Sequence, residues 1–407
     1  ILQTIPGGTL TAGAFGSGFL NNAPYLYTAA PSYVPAAAGQ PGEIQLTVTR
    51  RTPAQLNFNA SEAGALDAVL NAIPNDPNIE KVVLAQTTEV GLKSAYDQLL
   101  PDQGQGIFES LDAAAQAISS MTDTTPDAGT RVPGTSLWLQ EVNERVDRSG
   151  ITSLGSQSQL LGIVAGTEHT GAAGGAIGAT LAYMNAQEEV NGGAVGEHVV
   201  GSLVEGGVYY RRADGPLTVS ARGGAGYAWF NDVRRFLAPG AVNNANSDWG
   251  AYFVDAHAGA GYEIKLGRYY VRPELSLDYL RLAENGHSET GGGPGFDLTY
   301  GSRTSTRFSG QAEMVLGEQW GKVAWLRTEI RAGYREIFAG NVGDTVANFE
   351  GGSPFALAAD PDQGGWATVG FSIKGGTPYS YVALEGDADF RAGEQRYDLR
   401  VAGRSMF

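Results

Sequence analysis

Side chains that could catalyse a reaction or bind a metal are few and scattered in this sequence. Its 407 residues include no cysteine and four histidines, at positions 169, 198, 257 and 287, without the spacing of a metal site. The stretch "DPDQGG" at 360–365 lacks the full ligand series of a calcium loop, and we interpret it as an acidic surface loop. No G-x-S-x-G, Walker or dinucleotide-binding motif occurs. The sequence therefore predicts a chain that is not an enzyme and holds neither cofactor nor metal.

The charge balance argues against a nucleic acid as partner. The chain carries 27 Lys and Arg against 43 Asp and Glu, a formal net charge of −16, whereas phosphate binding needs a basic surface. Hydrophobic residues make up 42% of the chain, which is too many for a disordered one. No run of about 18 uncharged apolar residues predicts a membrane-spanning helix. Because the chain begins without Met, we expect it to be part of a longer protein.

Charged residues recur instead on one side of alternating segments. In "RYYVRPELSLDYL" and "VAWLRTEIRAGYRE" every second side chain is mainly apolar and the others are mainly charged. This alternation predicts strands with one apolar and one polar face. If the apolar faces contact lipid, the charged faces surround an enclosed lumen. The predicted lumen-facing residues are Arg222, Arg272, Glu274, Asp278, Arg327, Glu329, Arg331, Glu385 and Asp387.

The segments and their connections predict a membrane barrel. Each segment is about long enough to cross a bilayer at a tilt. Tight links such as "RADG" and "KLGR" alternate with mostly longer ones, among them about sixteen residues around "VRRFLAPGAVNNANS". Membrane barrels sort their loops in this way, with short turns at one end and long loops at the other. The twelve predicted strands are 136–149, 157–169, 174–188, 195–211, 216–231, 248–264, 268–282, 303–317, 322–338, 364–374, 378–391 and 395–407.

Two local features refine this prediction. Pro273 falls inside a predicted strand and cannot donate to the ladder, so we expect a β-bulge there or a shifted register. Aromatic residues near the strand ends are expected at the membrane interfaces. They are Trp138, Tyr209, Tyr210, Trp229, Trp249, Trp320 and Trp325.

Upstream of the barrel the pattern changes twice. Residues 1–60 read as short strands, the clearest being "GEIQLTVTRR". From Ser61, a plausible N-cap, "SEAGALDAVLNAI" reads as a helix that ends at Pro74. The amphipathic stretches "NIEKVVLAQTTEVGLKSAYDQLL" and "GIFESLDAAAQAISSM" follow, and a turn-rich linker occupies about 122–135. We therefore predict three units, 1–60, 61–133 and 134–407.

These features together resemble the translocator unit of a classical autotransporter, the type V secretion system of Gram-negative outer membranes. "SLWLQEVNERVDRSG" resembles the family's first strand, "SQSQLLGIVAGTEH" and "GGAIGATLAYMNAQ" its second and third, and "EGDADFRAGEQRYDLRVAGRSMF" its final hairpin. The resemblance covers about 134–407. Upstream, "LTVTRRTPAQLNF" resembles the end of a β-solenoid passenger, and "AYDQLLPDQGQGIFESL" resembles the helical segment that precedes such barrels.

The resemblance implies a fold and an activity. The fold is mainly β, a twelve-stranded antiparallel transmembrane β-barrel with an α-helix in its lumen, preceded by a small helical segment and a short β region that ends a β-solenoid. The chain would export its own N-terminal passenger and anchor it at the cell surface. The helix, at about 104–121, would plug the lumen with Ile107, Phe108, Leu111 and Ile118. We expect charge reversal at Arg327 or Arg331 to loosen this plug.

The resemblance also implies partners and a location. The barrel would lie in the outer membrane among lipids and lipopolysaccharide, with its passenger side at the cell surface. The barrel-assembly machinery would read an outer-membrane signal made of Phe407, Val401, Leu399 and Tyr397 by strand pairing. Three alternatives stay open at this point: a surface adhesin or structural protein for which the barrel is a mount, a plugged porin-like barrel, and a soluble two-domain β protein.

Overall fold

The computed structural model of the chain is described for ten stretches of residues. They are 2–3, 22–35, 42–101, 105–123, 133–149, 155–171, 175–190, 196–360, 362 and 364–407. The predicted linker falls largely outside these stretches.

Twelve strands form one closed antiparallel barrel, as the sequence predicts. Each strand pairs with its neighbours in the chain, and the last strand pairs with the first from Glu394↔Arg148 to Met406↔Ser136. The closed ring leaves no unpaired edge, which is what a bilayer requires of strands. The strands are β1 Gly134–Arg148, β2 Ser156–Thr170, β3 Gly175–Val190, β4 Glu197–Asp214, β5 Leu217–Ala238, β6 Ala241–Tyr262, β7 Tyr269–Glu284, β8 Arg303–Trp320, β9 Trp325–Asn341, β10 Gly364–Gly376, β11 Ser380–Arg391 and β12 Glu394–Met406.

The two faces of the strands are opposite in character. Outward positions carry exposed apolar side chains such as Leu181, Leu275 and Ile330, whereas many inward positions carry buried charged ones such as Arg222 and Glu329. A water-soluble barrel would place its apolar side chains inside and expose polar ones. Membrane barrels present a belt of exposed apolar side chains of this kind to lipid.

The connections separate the two ends of the barrel. The turns after β4 and β8 are short, and they lie at the same end as the start of β1 and the end of β12. We call this the short-turn end and the opposite one the long-loop end. The expected sixteen-residue loop after β5 is wrong, because β5 and β6 pair without interruption up to Ala238↔Ala241. Pro239 and Gly240 alone connect them, and Gly240 has a φ of 75°, which favours glycine.

The two longest connections fold into a sheet of their own. Their strands are His287–Ser288, Leu298–Tyr300, Thr345–Phe349 and Phe355–Leu357, and they pair in that order. We call them the loop sheet. Segments of two to five residues give a weak sequence signal, because alternation needs about four residues to become visible.

The bulge expected at Pro273 is also wrong. Pro273 pairs with Met314 of β8, and on the β6 side Glu274↔Gly261 and Ile264↔Val271 keep one register. The ladder is only interrupted where proline cannot donate. The β8–β9 register instead shifts between Phe308 and Ser309, which leaves Phe338 as the extra residue of a bulge.

The upstream region contains a hairpin and three short helices. The hairpin pairs Tyr27–Val34 with Glu43–Arg50 antiparallel, whereas rungs of a β-solenoid lie parallel, so it is not itself a rung. The helices are α1 Ala60–Ala72, α2 Pro77–Leu84 and α3 Glu89–Asp97. Asn59, and not Ser61, caps α1 in a capping box with Glu62. Thr88 caps α3 and divides the stretch that the sequence predicts as continuous.

Four of the aromatics expected at the membrane interfaces lie elsewhere. Trp138, Tyr209 and Trp325 are buried inside the barrel, and Trp138 Nε1 donates to the Tyr209 hydroxyl at 3.0 Å. Trp249 stacks on His287 of the loop sheet with ring centroids 4.3 Å apart. The reason is the parity of these positions, which places the side chains on the inward face. Outward exposure holds for Tyr210, Trp229 and Trp320.

Candidate functional site

A nineteen-residue helix, α4 Gln105–Asp123, lies inside the barrel. It contacts β1–β7 and β12. Gln105 lies near the end of β1 at the long loops, whereas Asp123 bonds to His257 of β6 towards the short turns. At ~1.5 Å per residue the helix is about 28 Å long, which is close to the hydrocarbon thickness of a bilayer. The chain therefore passes through the lumen from the long-loop end to the short-turn end.

One face of α4 packs against apolar wall residues. The predicted plug residues Ile107, Phe108, Leu111 and Ile118 are all buried there, in a core that also contains wall residues such as Val142 of β1. Burying an aliphatic or aromatic side chain of this size contributes about 1.5–3 kcal/mol. The spacing of i, i+1, i+4 and i+11 keeps the four side chains on one stripe of the helix. This stripe fixes the orientation of α4 against β1 and β2.

The first turn of α4 is bound by an acidic wall residue. Glu188 of β3 accepts the backbone N–H groups of Gly106 and Ile107 at 3.1 and 3.0 Å. A carboxylate is favourable there because the helix dipole is positive at this end. A Cβ on Gly106 would lie 2.1 Å from the Glu188 carboxylate, so the approach requires glycine. Arg148 of β1 donates to the Gln105 amide oxygen at 2.7 Å.

A buried charge cluster joins the middle of α4 to the wall. We call it the lumen cluster: Glu109 and Asp112 of α4, Arg307 of β8, Arg396 of β12 and Asp362. Arg307 Nη1 donates to Glu109 Oε2 and to Asp112 Oδ2, both at 2.7 Å. Arg396 Nη1 lies 3.0 Å from Asp112, and its Nη2 donates to Glu109. Arg307 also bonds to Asp362 at 2.9 Å. All five side chains are buried, so each carboxylate depends on these partners.

The last turns of α4 contact a second group of polar wall residues. Arg400 of β12 donates to Ser120 and to the Ala117 carbonyl. Asp123 lies 2.8 Å from His257 Nε2, and Asp278 of β7 lies 2.7 Å from His257 Nδ1. A lumen cavity of about 210 Å³ lies beside these turns. The helix is therefore held at both ends and in the middle by polar contacts, with space beside its C-terminal half.

The sequence-predicted lumen residues all face the interior, but they form ion pairs with other residues of the barrel wall more than with α4. Arg222 pairs with Glu205 and Asp255. Arg272 pairs with Glu274 at 2.5 Å and with Glu329 at 3.0 Å. The Arg222 pairs join adjacent strands, and the Arg272 pairs lie within β7 and reach past β8 to β9, so together they contribute to a charged lining of the wall.

The same holds for the arginines expected to hold the helix. Arg327 pairs with Glu263 at 2.6 Å and with Glu329 at 2.9 Å, and Arg331 pairs with Asp387 at 2.5 Å. Among the described residues their ion pairs go to the wall and not to α4, so the expected loosening of the plug by charge reversal stays a prediction that would have to act through the wall. Arg327 and Arg331 lie towards the short-turn end, beside the cavity, whereas Glu109 and Asp112 of α4 lie nearer the long-loop end. Glu385 pairs with Lys374 at 2.5 Å.

Three arginines that contact α4 are not among the sequence-predicted lumen residues. Arg307, Arg396 and Arg400 occupy inward positions of β8 and β12, and the alternation in "RTSTRFSG" and "RYDLRVAG" carries the signal that could have found them. The alternation gives the face of a residue but not its height or angle around the barrel. Pairing with α4 depends on both.

A second core closes over the long-loop end. Side chains of α1, α2 and α3 form one buried cluster with the loop sheet and the extended β5–β6 hairpin. We call these elements the cap. Arg234 of β5 joins them, with Nη2–oxygen distances of 2.6 Å to Glu289 and 2.8 Å to the Phe296 carbonyl. Ser61 of α1 donates to the Ala358 carbonyl at 3.0 Å. The chain that enters the lumen is thus packed onto the barrel's own loops.

An acidic pair lies within the cap. Burial and the neighbouring Glu62 carboxylate raise the pKa of Asp97 to about 8. Glu62 itself bonds to Lys93 Nζ at 3.0 Å and to the Asn59 backbone. Asp97 lies on α3 and Glu62 on α1, so protonation of Asp97 couples to the packing of these two helices.

The residues of the predicted assembly signal lie at the seam of the barrel. Tyr397, Leu399 and Val401 are exposed on the outward face of β12. Phe407 is 74% exposed, and its backbone N–H donates to the Thr135 carbonyl at 3.1 Å. Its side chain therefore adds little to the packing of the folded barrel.

Within the described stretches, no group of three His, Cys, Asp or Glu side chains could hold a metal ion. In "DPDQGG", Asp360 bonds to Arg148 and Asp362 to Arg307. None of the described helices is both long enough and apolar enough to cross a membrane.

Comparisons with known proteins agree with this geometry. A family model described as the autotransporter beta-domain matches residues 137–389. The translocator domain of autotransporter NalP from Neisseria meningitidis is 14% identical, with a TM-score of 0.59 and coverage of 76% of this chain and 99% of that one. The transport unit of the autotransporter AIDA-I from Escherichia coli is 12% identical, with a TM-score of 0.52 and coverage of 73% and 99%. No curated protein matches the chain. At these identities the two structures show the fold alone.

Proposed function

The chain belongs to the autotransporter family, since the beta-domain model matches more than half of its residues, and from this premise we propose how its barrel exports and then holds a passenger. The chain is an outer-membrane translocator of type V secretion, and its family joins the barrel covalently to a passenger. We propose that this passenger leaves through the lumen and stays attached to the barrel through α4. The family is one of transport barrels, and we assign this barrel no catalytic step.

The observation that carries the proposal is the path of α4. It links the chain at the long-loop end to β1 at the short-turn end, through a lumen that it largely fills. A segment in this position is what remains in the pore when an exported chain has passed outward. The lumen cluster supports the position of α4 as the final state of export, because at this height Glu109 and Asp112 pair with Arg307 and Arg396.

We further propose the orientation and the domain roles. The cap lies at the cell surface, and the short turns lie in the periplasm. Residues 1–60 are the end of the passenger, 61–133 the helical linker and plug, and 134–407 the barrel. The cap supports surface anchorage, because α1–α3 share one core with the loop sheet.

The proposed partners follow from the outward face of the barrel. Outer-membrane lipids and lipopolysaccharide cover its apolar belt. The barrel-assembly machinery reads Phe407 with Val401, Leu399 and Tyr397. Their exposure on the outward face at the end of the chain supports this role, because an exposed side chain is available to a partner.

Epitope insertion tests the orientation and the export together. One tag replaces the exposed turn at 85–88 between α2 and α3, and a matched tag replaces the turn at 321–324 between β8 and β9. We expect antibody binding to the first tag on intact cells and to the second only after the outer membrane is permeabilised. Binding to the second tag on intact cells, or to the first only after permeabilisation, would reject the proposal.

A further inference from the structure

The apolar belt on the outside of the barrel is tall on one side. On β7 the outward positions from Tyr269 to Tyr279 carry no charge, and the same holds on β6 from Tyr252 to Tyr262. Ten residues at roughly 3.4 Å each extend about 34 Å along a strand, and a tilt of about 40° leaves a height of about 25 Å. This equals the apolar band that membrane barrels present to lipid.

The belt is much shorter on the opposite side. On β1 the exposed apolar residues are Leu137 and Leu139. The next outward positions are Glu141, Asn143 and Arg145, all exposed. Two residues at ~3.4 Å each give a stretch of about 7 Å. Of the twelve strands, all of which are described, β1 has the shortest apolar stretch.

The polar residues of β1 lie level with apolar residues of the neighbouring strands. Glu141 is flanked in the ladder by Ile163 of β2 and Val401 of β12. Asn143 is flanked by Leu161 and Leu399. The polar strip therefore begins inside the belt and not above it.

The shortening is graded around the barrel. The apolar stretch on β2 runs from Leu161 to Ala165, and on β3 from Ile177 to Tyr183, after which outward positions become polar from Asn185. The belt thus grows from β1 through β3 towards the tall side at β5–β7. A gradual change of this kind fits a sloping bilayer surface better than a single misplaced charge.

We infer that the bilayer is thinnest along β1, where lipid headgroups and water descend to Glu141, Asn143 and Arg145. This inference goes beyond export and requires only that the barrel lie in a membrane. Charged side chains in hydrocarbon are costly, and bilayers adapt to a short apolar stretch by thinning locally. The seam that joins the first and last strands is therefore the face with the least hydrocarbon around it.

Single cysteines can test the inference, because the chain has no cysteine of its own. The variants are Asn143→Cys in the strip and Leu277→Cys in the tall belt. Val90→Cys on the exposed face of α3 gives the labelling rate of a water-exposed cysteine. Each is folded into vesicles of dimyristoyl phosphatidylcholine and phosphatidylglycerol, with a water-soluble maleimide on both sides. We expect Asn143→Cys to label at least about tenfold faster than Leu277→Cys, because hydrocarbon excludes the reagent. Equal slow labelling at both positions would overturn the inference.

A second set of variants asks whether the strip itself causes the thinning. Gln159→Cys on β2, opposite Arg145, serves as the probe. Replacing Glu141, Asn143 and Arg145 together by leucine should slow labelling of this probe at least about fivefold, since the apolar stretch of β1 is then completed. The matched control replaces Ala256, Ala258 and Ala260 of β6 by leucine and should leave the rate unchanged. Equal rates in both backgrounds would contradict the inference.

The same Asn143→Cys variant separates the bilayer from a protein partner. In native outer membranes we expect its labelling rate, relative to Leu277→Cys, to match that in vesicles. Shielding of Asn143→Cys in native membranes alone would show that a protein with a polar face covers the strip, which would overturn lipid headgroups as its occupant.

Discussion

At the scale of single residues, the lumen cluster places five charged side chains out of contact with water. Glu109, Asp112 and Asp362 oppose Arg307 and Arg396. A buried pair gives little net stability relative to apolar residues, but removing one partner leaves a buried charge uncompensated. The cluster therefore specifies where α4 lies more than it stabilises the barrel.

We predict that Arg307→Met weakens the seating of α4. The substitution removes the cation shared by three carboxylates and should cost about 3–5 kcal/mol, as breaking a buried ion pair does. Thermal unfolding in detergent, followed by the heat-dependent shift in electrophoretic mobility, would measure this cost. Arg268→Met is the matched control, because Arg268 pairs with Glu318 in an exposed position and should change nothing measurable. Equal midpoints for both variants would show that the cluster does not hold the helix.

The raised pKa of Asp97 makes the stability of the cap depend on pH. The folded cap holds this carboxyl protonated up to about pH 8, whereas an unfolded chain releases the proton near pH ~4. Between these values the folded form binds more protons, so this group's contribution to stability falls as pH rises. We predict that thermolysin cleaves the cap faster at pH 8.5 than at pH 6, relative to an unfolded substrate. Asp97→Asn should remove most of the difference, and an unchanged pH profile in that variant would contradict the prediction.

At the scale of elements, the end of β12 allows assembly of the barrel in cells to be tested separately from the stability of the folded barrel. Phe407 contributes one backbone hydrogen bond and an exposed ring, so its deletion should hardly affect the folded barrel. We predict that the deletion strongly reduces the amount of folded, heat-modifiable protein in the outer membrane of cells, because the assembly signal is incomplete. Refolding of the same variant in detergent should match the parent. Normal amounts in cells would contradict the signal, and failure to refold in detergent would show a structural role instead.

The elements also show what the sequence could and could not reveal. Two-residue alternation identifies the twelve strands and the inward face of the nine predicted lumen residues, because a strand side chain has only two directions. It cannot tell that β5 and β6 continue past the membrane, since "VRRFLAPGAVNNANS" reads as a loop through its Pro, Gly and Asn residues. The loop sheet is missed because its strands are too short to show a period.

Contacts between elements distant in the chain are the least predictable part of the site. Asp112 and Arg396 are in contact although 284 residues separate them. Their meeting depends on the register of twelve strands and on the depth of α4. The sequence shows that Arg327, Arg331, Arg307 and Arg396 all face inward. Only the assembled barrel shows that the last two are the ones beside the helix.

At the scale of the whole molecule, the barrel is closed by two different structures. α4 occupies the lumen, and the cap covers the long-loop end with a core of its own. α4 and the helices α1–α3 of the cap precede β1 in the chain, so the segment that we assign as the link between passenger and barrel lies both in the lumen and over its long-loop end. We propose that this arrangement keeps the outer membrane sealed after export, since an open barrel would conduct.

Conductance across a planar bilayer tests this claim most directly. The full chain should show no large stable openings, and a chain that lacks residues 1–123, and with them α4 and α1–α3, should open to a steady conductance. Large openings of the full chain equal to those of the shortened chain would show that the lumen is not plugged, and the account of a retained, anchoring helix would then be wrong.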